Sequence, residues 1–184
     1  MTVESQIPSL NETPNWSGRE ILEAAREFRG QVAKVFAKDG KFPPVAFLFC
    51  TKDPEGTELL KKVMSIPIFQ DMSPEVEKGL SDVIRNMSAK GRAEAVVFVS
   101  PVWLVHGNLR DPDVASNPKR SACILMTIEH PKLGGIAWMA DIVLPEDKTT
   151  QKAVLGEWRG EENFPLVIDK NMPRRWVHLL PGTN

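Results

Sequence analysis

The chain reads as an α+β protein with a single mixed, mostly antiparallel sheet of about five strands and two main helices packed on it. Three observations carry this reading. Val45-Ala46-Phe47-Leu48-Phe49-Cys50 is apolar on both faces of a period-two pattern, so as a strand it must be covered on both sides. The segments 18–38 and 74–90 repeat apolar residues at helical spacing, the stripe of a helix lying on a sheet. The segments 120–130 and 136–143 alternate about a Pro- and Gly-containing connection, as the arms of a hairpin do.

Taken in order, residues 1–15 are polar, carry Pro8 and Pro14, and read as a flexible N-terminal arm. The domain proper is expected over 16–159, and an extended C-terminal arm over 160–184. Ser17-Gly18-Arg19-Glu20 is a capping box, with Trp16 and Ile21 at the flanking staple positions. Ile21, Ala25, Phe28, Val32 and Val35 or Phe36 form the stripe of the first helix, and Asp39-Gly40 offers a left-handed stop. Pro43 and Pro44 then force a break before the central strand 45–50, which would hold Phe47 deep in the core.

Beyond Gly56, the segment Glu58–Val63 reads as a short helix. Ser73-Pro74-Glu75 starts the second main helix with a capping hydroxyl, proline in the first turn and an acid near the positive end of the dipole. Val76, Leu80, Val83, Ile84 and Met87 supply its expected apolar face, and it stops at Lys90-Gly91. Ala95–Val99 is a second run apolar on both faces. A strand, helix, strand order predicts that it lies parallel to 45–50 through a right-handed crossover, adjacent to it or with another strand between. Residues 101–119 form a long connection of the kind that often carries function.

For the hairpin, a five-residue loop over Pro131–Gly135 sets Ile128 opposite Ile136, Met126 opposite Trp138 or its neighbour and Ile124 near Ala140, all on one buried face. The other face then carries Cys123, Leu125, Thr127, Glu129, Ala137, Met139 and Asp141 and is only partly covered. A four-residue loop would mix the two sets. Ala153–Trp158 adds a last strand.

With 23 basic against 24 acidic side chains, the chain has no net field to draw in a polyanion or an anionic membrane, so neither nucleic acid nor membrane is expected as a partner. Cys50 and Cys123 fall in strands and read as buried thiols, inert in apolar surroundings. With no secretory leader pattern and no apolar run of spanning length, the expected location is the cytoplasm.

No Gly-rich phosphate loop, Cys-x-x-Cys pair, His-Glu-x-x-His or Gly-x-Ser-x-Gly elbow is present. The leading expectation is therefore a non-enzymatic accessory or adaptor protein without a cofactor, acting through contacts with a protein partner that includes a second copy of itself. Its expected contact residues lie in the apolar islands of the C-terminal arm: Leu166, Ile168, Trp176 as anchor, Leu179 and Leu180.

An alternative is a small metal-assisted hydrolase. If the first two core strands are parallel, Asp53, Asp141 and the loop bearing His106, Asp111 and Asp113 open from one rim, where they could hold a divalent ion and activate a water. Asp-Pro-Asp at 111–113 is equally ordinary turn chemistry. A third expectation is a small-ligand sensor with a pocket between sheet and helices. Glu129 and His130, adjacent on a strand, point to opposite faces and cannot share a substrate without a bulge.

Overall fold

Each helix begins on the residues expected to cap it. In the computed structural model, which describes residues 14–69, 72–105, 120–143, 152–160 and 179–180, the Ser17 side chain accepts from the Glu20 amide and Glu20 reaches back to Ser17. This closes the capping box of α1, Gly18–Asp39, which ends on Gly40 in the left-handed conformation (φ 68°). Ser73 caps α2, Pro74–Lys90, by accepting from the Val76 amide. The strands are β1, Val45–Lys52; β2, Leu59–Pro67; β3, Ala93–Val105; β4, Arg120–His130; β5, Gly134–Val143; and β6, Val154–Arg159.

They form one six-stranded sheet in the order β2-β1-β3-β4-β5-β6, with every neighbouring pair antiparallel. The α+β class stands, while the strand count and the mixed character are corrected. The segment expected as a short helix is the start of β2, which folds back on β1 in the register Phe49↔Val63 and Phe47↔Ser65. Leu59, Leu60, Val63 and Met64 have helical spacing, but pairing with a central strand outweighs that local pattern. Because β2 reverses the chain, α2 returns it antiparallel to β1, and β1 and β3 lie side by side with Leu48↔Val96. The expected parallel crossover does not occur. β3 also continues to Val105, six residues past Val99, which is opposite the first residue of β1.

The helices cover opposite faces. Ile21, Ala25, Val32 and Phe36 of α1 pack on Phe49, Val97, Val99, Ile124, Met126, Ile128, Ile136 and Trp138. Ile84 of α2 joins Leu48, Cys50, Val96 and Phe98 on the other side, together with Leu179 and Leu180. Alternate residues of β1 and β3 thus enter two cores, which is why both strands are apolar throughout. Each fully buried large side chain contributes about 1.5–3 kcal/mol. Phe49 is fully buried, whereas Phe47 is only half-buried and stacks on Phe28 with ring centroids 4.1 Å apart.

The hairpin register is the expected one: Ile124↔Ala140, Met126↔Trp138 and Ile128↔Ile136, all buried. Pairing runs on to His130↔Gly134, so the connection is shorter than the five residues expected while the faces stay the same. Helix α2 departs further from expectation. It buries Ser81, Ile84 and Ser88, while Val76 and Val83 are 54% and 49% exposed. Among the described residues no helix is long and apolar enough to cross a membrane.

Candidate functional site

The antiparallel pairing of β1 with β3 separates the two described carboxylates of the expected rim. Asp53 follows β1 where Cys50 lies opposite Ala93, at the start of β3; Asp141 is level with Cys123 and Val102, near its end. Nine residues of strand lie between these levels, about 30 Å, so the two cannot ligate one ion and the shared rim is corrected. Each carboxylate has a local partner. Arg159 donates to both oxygens of Asp141 at 2.6 and 2.5 Å, and Asp53 pairs with Lys62 at 3.7 Å while its side chain accepts from the Glu55 amide. His106, Asp111 and Asp113 lie outside the described residues. Among the described residues, no three His, Cys, Asp or Glu side chains are grouped as a metal site would require.

Both thiols are buried, and burial pushes each up to about 11. Cys50 is wedged between strand and helix, with its carbonyl accepting from Trp16 Nε1 at 2.9 Å. Glu129 and His130 point to opposite faces. Glu129 accepts from the Leu179 amide at 2.9 Å on the α2 side. His130 turns toward a recess of about 350 Å³ shared with Trp16, Ser17 and Glu94, and its Nδ1 accepts from the Lys132 and Leu133 amides at 3.1 and 3.0 Å. Burial lowers the His130 pKa, with Glu94 acting against that shift. The arrangement fixes His130 as a neutral ring with its proton on Nε2, a structural brace for the β4–β5 turn.

Of the expected contact residues, Leu179 and Leu180 are buried in the chain's own α2-side core. Leu166, Ile168 and Trp176 lie outside the described residues.

Another concavity, about 480 Å³, sits where β3 runs past the start of β1. Phe36 from α1, Phe42 and Pro44 before β1, Ile68 after β2, Phe98 from β3 and Ile142 from β5 line it, with Lys41, Glu77 and Ser100 as its main polar groups. Two of its aromatic residues face outward: Phe69 is 74% exposed and Trp103 is 48% exposed. Sequence reasoning did not single out these positions. The available signal was aromatic residues set among chain breakers, Phe42 before Pro43-Pro44 and Phe69 just after Pro67. A cleft of this lining can hold apolar side chains or a small apolar molecule and offers few groups for bond-making chemistry. Comparison with family models, with curated proteins and with solved structures finds no match to this chain.

Proposed function

We propose that the chain is a non-enzymatic accessory or adaptor protein that works through protein contacts and associates with itself. The observation that supports this most directly is the exposure of Phe69 and Trp103 on an apolar cleft. Large aromatic residues that are partly exposed at a concave apolar surface are the typical anchors of protein interfaces. The partner segment favoured here is extended and apolar, because the cleft lies alongside the end of β3 that runs past β1 and has aromatic walls.

Photo-crosslinking residues placed at 69 and 103, with position 34 on the far side of α1 as control, test the reading in cells that express the protein. Protein adducts at 69 and 103 but not at 34 are expected. Equal labelling at all three positions would remove the cleft as a contact surface.

A second reading, a sensor for a small apolar ligand, is favoured by the size of the same cleft, which falls within the roughly 300–1,000 Å³ of small-molecule sites. Native mass spectrometry of the purified chain separates the two. A bound small molecule lost on Phe98→Trp would favour the sensor, and a bare chain together with crosslinked protein would favour the adaptor.

A further inference from the structure

We infer that the recess between the β4–β5 turn and the start of α1 binds a free amino acid with an apolar side chain, its carboxylate accepting from His130 Nε2 beside Lys132 and its ammonium donating to Glu94. The site is separate from the aromatic cleft and goes beyond the adaptor reading. Three observations lead to it.

The first is the unused half of His130. The residue is only 8% exposed, and its Nδ1 accepts from the Lys132 and Leu133 amides, so the ring proton sits on Nε2. Bracing the turn needs Nδ1 alone. Nε2 has no partner among the described residues, yet it is not one of the buried side-chain atoms sealed off without one. A ring that is otherwise buried thus keeps one donor open, and the recess of about 350 Å³ lined by His130 is the space that donor meets. Buried donors are normally satisfied, and the space here is many times what a single water needs.

The second is charge. Glu94 of β3 and Lys132 of the turn line the same recess, yet they form no ion pair with each other or with another described residue. One Glu94 oxygen accepts from the Trp16 amide, which fixes the carboxylate in the wall and leaves its other oxygen for a ligand. A simple anion would be repelled by Glu94 and a simple cation by Lys132, whereas a small molecule carrying both signs complements the pair. Ser17 and Gly18, where α1 begins, are also in the wall, and the positive end of the helix dipole favours a carboxylate there.

The third is enclosure. Leu133 packs so closely on Gly18 that a Cβ at 18 would stand 3.1 Å from its side chain, which holds the turn against the helix. Trp16 and Pro131 give the recess an apolar wall. Its volume lies at the small end of the roughly 300–1,000 Å³ of ligand sites, which suits one amino acid better than a peptide.

Calorimetric and NMR titration of the full chain with L-leucine, at concentrations rising to about 10 mM, tests this. Isocaproate and isoamylamine, which carry the carboxylate or the ammonium alone on the same skeleton, serve as comparison probes. Saturable binding of leucine is expected, with shifts in the His130 ring and Trp16 amide resonances. Each single-charge probe should bind about tenfold more weakly or worse, because it forfeits a charge-assisted hydrogen bond. Glu94→Gln keeps an acceptor for the Trp16 amide and should melt close to the native chain, yet weaken leucine binding by about tenfold. Lys132→Gln changes an exposed side chain and should weaken it less. No saturable binding of leucine would overturn the inference and leave the adaptor reading untouched. Isocaproate binding as tightly as leucine, or leucine binding undiminished in Glu94→Gln, would equally overturn it.

Discussion

Gly91, at the end of α2, lies so close to Cys50 of β1 that a Cβ at 91 would stand 2.6 Å from the Cys50 sulfur. Its φ of −79° suits any residue, so glycine is required here for space and not for backbone freedom. The same residue ties helix to strand, its carbonyl accepting from the Thr51 and Lys52 amides at 3.1 and 3.0 Å. Gly91→Ala is expected to destabilise the protein by about 1–3 kcal/mol through overpacking. Cys50→Ala should recover part of that loss, because it vacates the closest contact; urea unfolding of the double-mutant cycle measures the coupling. Strict additivity of the two changes would show that the contact is not felt.

The two phenylalanines of β1 are expected to differ. Phe49→Ala removes a fully buried ring and should cost about 3–5 kcal/mol. Phe47→Ala should cost less, because Phe47 is only half-buried where it stacks on Phe28 against the α1-side core. Denaturant midpoints that ranked Phe47 above Phe49 would contradict the assignment of depth.

Leu179 is fully buried against α2-side residues and its amide is held by Glu129. Leu179→Ala is expected to cost about 2–5 kcal/mol, and truncation after Arg159 should lower the unfolding temperature by removing Leu179 and Leu180 together. A truncated chain that melts with the full chain would show that this docking contributes nothing.

His130 gives stability a pH dependence of definite sign. Its folded pKa lies below the ordinary 6.5, chiefly through burial, so the unfolded chain takes up the proton first as pH falls. The stability contributed by the neutral ring is present above pH 6.5 and is lost as pH drops through the lower folded value. Protonation of Nδ1 would also cost the two amide hydrogen bonds from Lys132 and Leu133. Chemical-denaturation midpoints between about pH 7 and pH 5 should fall more steeply for the native chain than for His130→Gln. Parallel slopes would mean that His130 does not titrate with folding.

Much of the local structure was legible in the residues themselves. The capping box at Ser17–Glu20, the serine and proline opening α2, the left-handed Gly40 and the β4–β5 register all follow from short-range chemistry. Caps and turns are satisfied by groups a few residues away, and a one-residue slip in the hairpin would expose Trp138 and Ile128. The two-sided burial of β1 and β3 was equally readable, because neither strand has a polar face to offer water.

What tertiary structure decided was which elements meet. Leu59–Val63 carries a helical spacing that loses to β1, and the resulting reversal makes β1 and β3 antiparallel, which in turn sends Asp53 and Asp141 to opposite ends of the sheet. The candidate cleft is likewise assembled from stretches far apart in sequence, 36–44, 68–77 and 98–103, with Ala122, Ile142 and Ala153. The orientation of α2 belongs here too: its pattern specifies a helix with an apolar stripe, but how far the helix rotates on the sheet depends on everything else packed against that face. Local chemistry determines what a segment becomes, since its partners are close along the chain, whereas direction, depth and exposure depend on partners that only folding brings near.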